Sequence, residues 1–172
     1  DLMIRPDYGT PTLSIDVADG IAATDLLVSG LIKESSPSGN LFKSGAGNLE
    51  LTGSNSYTGI TTVSGGTLTI TGFSNSSQVT VASSATLAGN GSIQGNVTIS
   101  AGGHHALAVA AEDYLQVPRQ IYGALTLEAG NFLDLTASEA PAPGIYILLT
   151  SAGGISGPLP TVTGIAGTVF ID

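Results

Sequence analysis

Residues 44–72 read SGAGNLELTGSNSYTGITTVSGGTLTITG. Leu49 and Leu51, then Leu68 and Ile70, alternate with polar residues at a period of two, the spacing of a strand with one face turned inward. Between these pulses, Gly53, Gly59, Gly65, Gly66 and Gly72 with Asn48 and Asn55 read as corners, because these residue types accept positive φ at little steric cost. Short strands divided by repeated corners describe a coil of strands.

Outward from this stretch, the composition sets bounds. The 172 residues suffice for one domain with a real core, and a 42% hydrophobic, 10% charged content lies far from that of disordered chains. The 24 glycines have no collagen-like three-residue period, and the richness in Thr, Ser, Val, Leu and Ile predicts pleated surfaces with almost no helix. A net charge of −9 with only four basic residues, Arg5, Lys33, Lys43 and Arg119, lacks the cationic footprint that phosphate backbones require, which excludes nucleic acid as a partner. The absence of cysteine removes disulfides, thiolate metal sites and thiol catalysis, and fits a bacterial secreted protein. No apolar run approaches the ~18–20 residues of a membrane helix. The opening DLMIRPDYGTPT has neither an initiator methionine nor a charged-then-apolar leader, so it reads as the start of a mature fragment or an excised piece.

The pulses recur along the chain. Leu49–Leu51 and Leu68–Ile70 begin 19 positions apart (49 to 68), and Val79–Val81 and Val97–Ile99 begin 18 apart (79 to 97). Windings of roughly 18–22 residues at about 3.3 Å each make a loop of about 60 Å, enough for a two- or three-sided coil, about eight windings in all. The predicted fold class is all-β, a right-handed parallel β-helix or β-solenoid; an antiparallel β-sandwich shares the pattern and stands as the alternative. Residues 1–172 are read as one solenoid domain. Within it, residues 1–40 are less regular, with opening strands at Thr12–Val17 and Asp25–Ile32 and a polar loop at Lys33–Asn40. Residues 104–120, HHALAVAAEDYLQVPRQ, form a non-repeat excursion before strands return at Ala124–Leu127, Phe132–Leu135, Ile145–Thr150 and Thr168–Ile171.

Two blocks of residues resemble the autotransporter-associated β-strand repeat proteins of bacterial surfaces. The first, Lys43–Gly72, has that family's order of a lysine, a glycine-rich turn, a Leu-x-Leu strand, an Asn-x-Tyr-Thr-Gly turn and a closing Gly-Thr-Leu strand. The second joins His105–Ala110, Ala124–Ala137 and Tyr146–Gly157, which is similar to the C-terminal part of large secreted members. The resemblance implies an exported parallel β-helix rod, displayed or released, with no catalytic residues belonging to the repeat itself. Neither a β-barrel translocator nor a sorting tail follows, and a further Leu/Val strand expected after Asp172 is missing, which suggests processing or truncation.

No constellation of side chains spells out a reaction, and no cofactor or metal is expected. Asp134 with Glu128 is the nearest approach to a pair of glycosidase-like carboxylates, but an alternating strand places such acids outside as solubilising groups. His104 and His105 are adjacent, so on a strand they face opposite ways and cannot share an ion; a turn role is expected for both. No Gly-x-Ser-x-Gly is present for a nucleophilic triad. Gly89–Gly95 departs from a nucleotide loop and reads as a turn, and Leu159–Gly164 misses the sortase spacing by one residue. The sequons at Asn75, Asn90 and Asn96 carry no assigned role. Tyr57, Tyr114, Tyr122 and Tyr146 would suit sugar rings if they shared a face, and otherwise cover corners of the coil with their hydroxyls in water. Lys33 and Lys43 are candidates for isopeptide crosslinks.

A coil of stacked strands has two ends whose unpaired N–H and C=O groups are templates for another chain. The sequence therefore predicts a non-enzymatic extracellular structural protein that assembles head to tail into a surface fibre or layer, with Leu2, Ile4, Leu13, Val169, Phe170 and Ile171 as candidate subunit contacts. Two rivals are a glycan-binding adhesin module and a polysaccharide-degrading β-helix enzyme.

Overall fold

The structure, a computed structural model, describes residues 1–5, 11–35, 38–109, 118–137 and 147–164. Every strand pairing among them is parallel, so the chain is a right-handed parallel β-helix and not an antiparallel sandwich. It begins with β1 (Leu2–Ile4), followed by a first winding of β2 (Thr12–Asp16), β3 (Leu26–Val28) and β4 (Ile32–Glu34). The second is β5 (Asn40–Ser44), β6 (Asn48–Leu51) and β7 (Ser54–Asn55), and the third β8 (Ile60–Val63), β9 (Thr67–Ile70) and β10 (Phe73–Ser74). The fourth is β11 (Gln78–Val81), β12 (Thr86–Ala88) and β13 (Ser92–Ile93), and the fifth β14 (Asn96–Ile99), β15 (His104–Val109) and β16 (Arg119–Ile121). Then come β17 (Leu125–Leu127), β18 (Phe132–Ala137) and β19 (Leu149–Ser151), and finally β20 (Ile155–Ser156) and β21 (Thr161–Thr163).

Each winding has three sides. The first strands of the windings, β2 to β20, stack into one seven-stranded face, and the second strands, β3 to β21, into another. The third face is a five-stranded sheet from β7 to β19 preceded by the β1–β4 pair. Those two sheets meet where the Ser56 N–H donates to the Ile32 carbonyl (2.9 Å) and the Ile32 N–H to the Asn55 side-chain oxygen (3.0 Å). Leu13, Leu41, Thr61, Val79, Val97, Leu125 and Ile155 lie in register on the first face. Their spacing gives windings of 28 residues (13 to 41), 20 (41 to 61), 18 (61 to 79), 18 (79 to 97), 28 (97 to 125) and 30 (125 to 155). The predicted register of the two pulse pairs holds, since Leu49 sits on Leu68 and Val79 on Val97. The opening strand expected over Asp25–Ile32 is instead two, β3 and β4, on different faces; part of the loop placed at Lys33–Asn40 is strand.

The alternation of buried and outward residues along these short strands sends one side chain in two into the coil. On the second face, Leu49, Leu68 and Leu87 form a fully buried column in register. Burying one such side chain stabilises the fold by about 1.5–3 kcal/mol.

The corners correct the sequence reading. Among Gly53, Gly59, Gly65, Gly66 and Gly72, only Gly66 has positive φ (60°), and Asn48 and Asn55 do not. The demand at most of them is for space. Gly30, Gly53, Gly72 and Gly91 lie one above another at the corner between the second and third faces, and a Cβ on any of the last three would collide with the carbonyl of the glycine beneath. Asn48 and Asn55 lie in strands and use their amides as pairing groups, Asn55 on the Ile32 N–H and Asn48 on the Ala23 carbonyl (2.7 Å).

Candidate functional site

Lys43 alternates inward on β5 and stands in a column between Ile15 and Val63. An ammonium in that position must be satisfied. Its Nζ donates to the carbonyls of Ser44 (3.0 Å), Gly45 (2.8 Å) and Gly65 (3.0 Å), which tie the first corners of two successive windings together. Burial lowers its pKa, and the charges of Asp16 and Asp25 partly offset this. The Lys43 amine, a candidate for an isopeptide crosslink, is thus engaged with carbonyls, while Lys33 pairs with Asp1 at the surface (3.0 Å).

Tyr57 follows β7 and turns into the core, with no exposed surface, which corrects the expectation of a hydroxyl in water. Its hydroxyl pairs with Thr61 Oγ1 (2.7 Å) and Ser74 Oγ (3.5 Å), and the Thr61 hydroxyl donates to Ser76 Oγ (3.0 Å). Tyr122 is exposed and donates to Gln120 Oε1 (3.1 Å), while Tyr114 and Tyr146 lie outside the described residues. Tyr57 and Tyr122 do not share a sugar-binding face.

His104 and His105 occupy β15, not a turn, and face opposite ways as expected of strand neighbours. Outside, the His104 ring stacks on Phe132 of the next winding with centroids 4.6 Å apart. His104 Nδ1 lies 2.6 Å from Asp134 Oδ2, and the other carboxylate oxygen accepts the Thr163 hydroxyl. This half-exposed cluster joins β15, β18 and β21. Glu128 is occupied elsewhere, accepting the Ala101 N–H (3.0 Å), so it forms no facing pair with Asp134. Among the described residues no group of three or more His, Cys, Asp or Glu is placed to hold a metal ion. A shallow groove of about 210 Å³ on the first face is lined by Thr12, Asn40, Leu41, Phe42, Ile60 and Thr62, none of them ionisable.

Inside, His105 takes the place between Leu87 and Leu133 in the leucine column. It is 3% exposed; burial first and the Arg119 charge second push its pKa down to about 3, so the imidazole is neutral. Arg119 opens β16 with its side chain wholly buried, and burial pushes its guanidinium down to about 9. One terminal nitrogen donates to the carbonyls of Ala88 and Gly89 at a corner of the winding beneath. Asn131 donates from its amide nitrogen to the Glu128 carbonyl. Four buried side-chain atoms lack a hydrogen-bond partner among the described residues: Arg119 Nε, Arg119 Nη1, His105 Nε2 and Asn131 Oδ1. Sequence reasoning missed this group, although His105 stands 18 positions beyond Leu87, the step at which the pulses recur.

The candidate subunit contacts are dispersed. Leu2 is partly exposed on β1, Ile4 is 2% exposed within the chain's own core, and Leu13 is half-buried on the edge strand β2. Val169, Phe170 and Ile171, with the strand expected at Thr168–Ile171, lie outside the described residues.

No curated protein matches the chain. Residues 41–76 match the family model of the passenger-associated-transport-repeat. The matched span runs from β5 through β10, the two windings that hold Lys43, the stacked glycine corners, the Leu49–Leu68 column and the Tyr57 network. The chain thus carries a passenger-associated-transport-repeat in its second and third windings.

Proposed function

We propose that the chain is a non-enzymatic extracellular structural protein, a β-solenoid subunit that joins end to end with copies of itself into a surface fibre or layer. The observation that carries this reading is the pair of matching ends. On all three faces, β1, β2 and β3 at one end and β19, β20 and β21 at the other have a neighbour on one side only among the described residues. Because all pairings are parallel, the last winding of one copy presents the same hydrogen-bonding edge that each winding presents to its successor. Interior side chains would continue across the joint: Leu13, Ile15 and Val28 pack at one end, and Leu149, Ile155 and Val162 at the other. Such a contact is head to tail and does not close on itself, so it builds filaments.

An exported protein is what an autotransporter-associated repeat implies, and no helix of the described residues is long and apolar enough to cross a membrane. The reading is tested by sedimentation velocity and electron microscopy of the purified chain with and without Leu13→Asp. Filaments or oligomers growing with concentration in the parent, and lost in a variant that remains folded by circular dichroism, are expected. A parent that stays monomeric at millimolar concentration, or assembly indifferent to Leu13→Asp, would overturn it.

A further inference from the structure

The core is divided. One apolar cluster runs from Ile4 to Leu127, and a second gathers Leu107, Leu133 and Leu135, with Ala137, Leu148, Leu149 and Val162 against it. In the leucine column, His105 stands between the two, and Arg119 projects into the same winding. A guanidinium keeps its charge at neutral pH, and an uncompensated buried charge is strongly destabilising. The carbonyls of Ala88 and Gly89 satisfy one of its nitrogens and leave Nε and Nη1 bare, both obligate donors. Among the described residues the hydrogen-bond partners of Arg119 are carbonyls only, and the neighbouring titratable group, His105, brings one more buried nitrogen without a partner.

The second face is also longer here: β15 and β18 are six residues long, where β6 and β9 have four, a difference of about 6–7 Å. Water would supply acceptors but no charge. We propose that the interior beside Arg119 binds a small, weakly hydrated monovalent anion, a halide of chloride or bromide size (not the strongly hydrated fluoride) or a carboxylate the size of acetate, through Arg119 Nε and Nη1 with His105 Nε2 as a further donor. The anion neutralises the guanidinium and fills the polar break between the two apolar clusters, so this part of the rod is stabilised by the salt around it.

The test is urea unfolding of the whole chain in sodium bromide exchanged against sodium fluoride at constant ionic strength. The expected midpoint rises with the logarithm of bromide, reaching a hundredfold gain in the folded-to-unfolded ratio when bromide stands a hundredfold above its dissociation constant. In Arg119→Gln the bromide response is expected to vanish, and in His105→Gln to weaken. An equal response in parent and Arg119→Gln, or none in the parent, overturns the proposal. If Arg119→Gln does not fold, crystals of the parent grown in bromide decide: an anomalous peak within hydrogen-bonding reach of Arg119 Nε or Nη1 supports the site. Water there, a carboxylate of Glu112 or Asp113 there, or bromide only on the surface overturns it.

Discussion

The windings from Leu41 to Ile99 and those from His104 to Thr163 share one backbone plan and differ in what they enclose. In the first region the windings are 20, 18 and 18 residues long, and the second face encloses Leu49, Leu68 and Leu87 one above another. In the second they are 28 and 30 long, and the same column passes through His105 beside Arg119. Parallel pairing is unbroken across the change, since β15 pairs with β18 over six residues. Backbone hydrogen bonds therefore carry the coil past a polar interior, while apolar columns and tight corners fix the regular winding length.

The corners of the first region offer the sharpest way to break this comparison. At Gly72 a Cβ would collide with backbone atoms of Thr52 and Gly53 that cannot move without undoing a winding. Gly72→Ala is expected to cost at least about 4 kcal/mol or to prevent folding. Gly130, in the second region, has φ of +78° but open space around its Cβ position, so Gly130→Ala is expected to cost only about 1 kcal/mol. Urea unfolding of the two variants checks the contrast. Next in size is Leu68→Ala, which removes the middle of the fully buried column and should lower stability by about 3 kcal/mol in the same assay.

Lys43→Met keeps the aliphatic stem and strips three carbonyls of their shared donor, with an expected loss of about 2 kcal/mol. His105→Leu runs the other way and restores the column, so it is expected to stabilise the protein below neutral pH. Above about pH 6.5 the imidazole is neutral in both folded and unfolded chains and contributes no pH dependence. Below it the unfolded chain takes up a proton that the folded chain, with its pKa depressed to about 3, refuses. Stability then falls by up to about 1.4 kcal/mol per pH unit until pH nears 3. His105→Leu should remove that slope, as read from unfolding midpoints at pH 7, 6, 5 and 4. The smallest effect belongs to Asp134→Asn on the half-exposed outer cluster, under about 1 kcal/mol.

The regular region was legible in the sequence because its strands alternate cleanly and its windings repeat at nearly constant length. Leu49 over Leu68 and Val79 over Val97 follow from spacing alone. The reason for its glycines was not, since the collision that excludes a Cβ at Gly72 comes from Gly53 in another winding, which no local φ preference records. Tyr57 was misplaced for a related reason: a polar tip suggests solvent, but the interior supplies hydroxyls to it, as it supplies backbone carbonyls to Lys43. His105 stands on Leu87 at the regular 18-residue step, but a histidine pair does not read as part of an apolar column, and Arg119 gives no sign in sequence that its partners are carbonyls some 30 residues earlier.

Hydrogen exchange read by mass spectrometry at pH 7 and again at pH 4, corrected for intrinsic rates, tests most directly whether the two regions draw stability from different interiors. Amides of β15, β16 and β18 should lose protection on acidification while those of β6, β9 and β11 keep it. Equal loss along the whole coil, or earlier loss in the leucine-filled windings, would contradict the account.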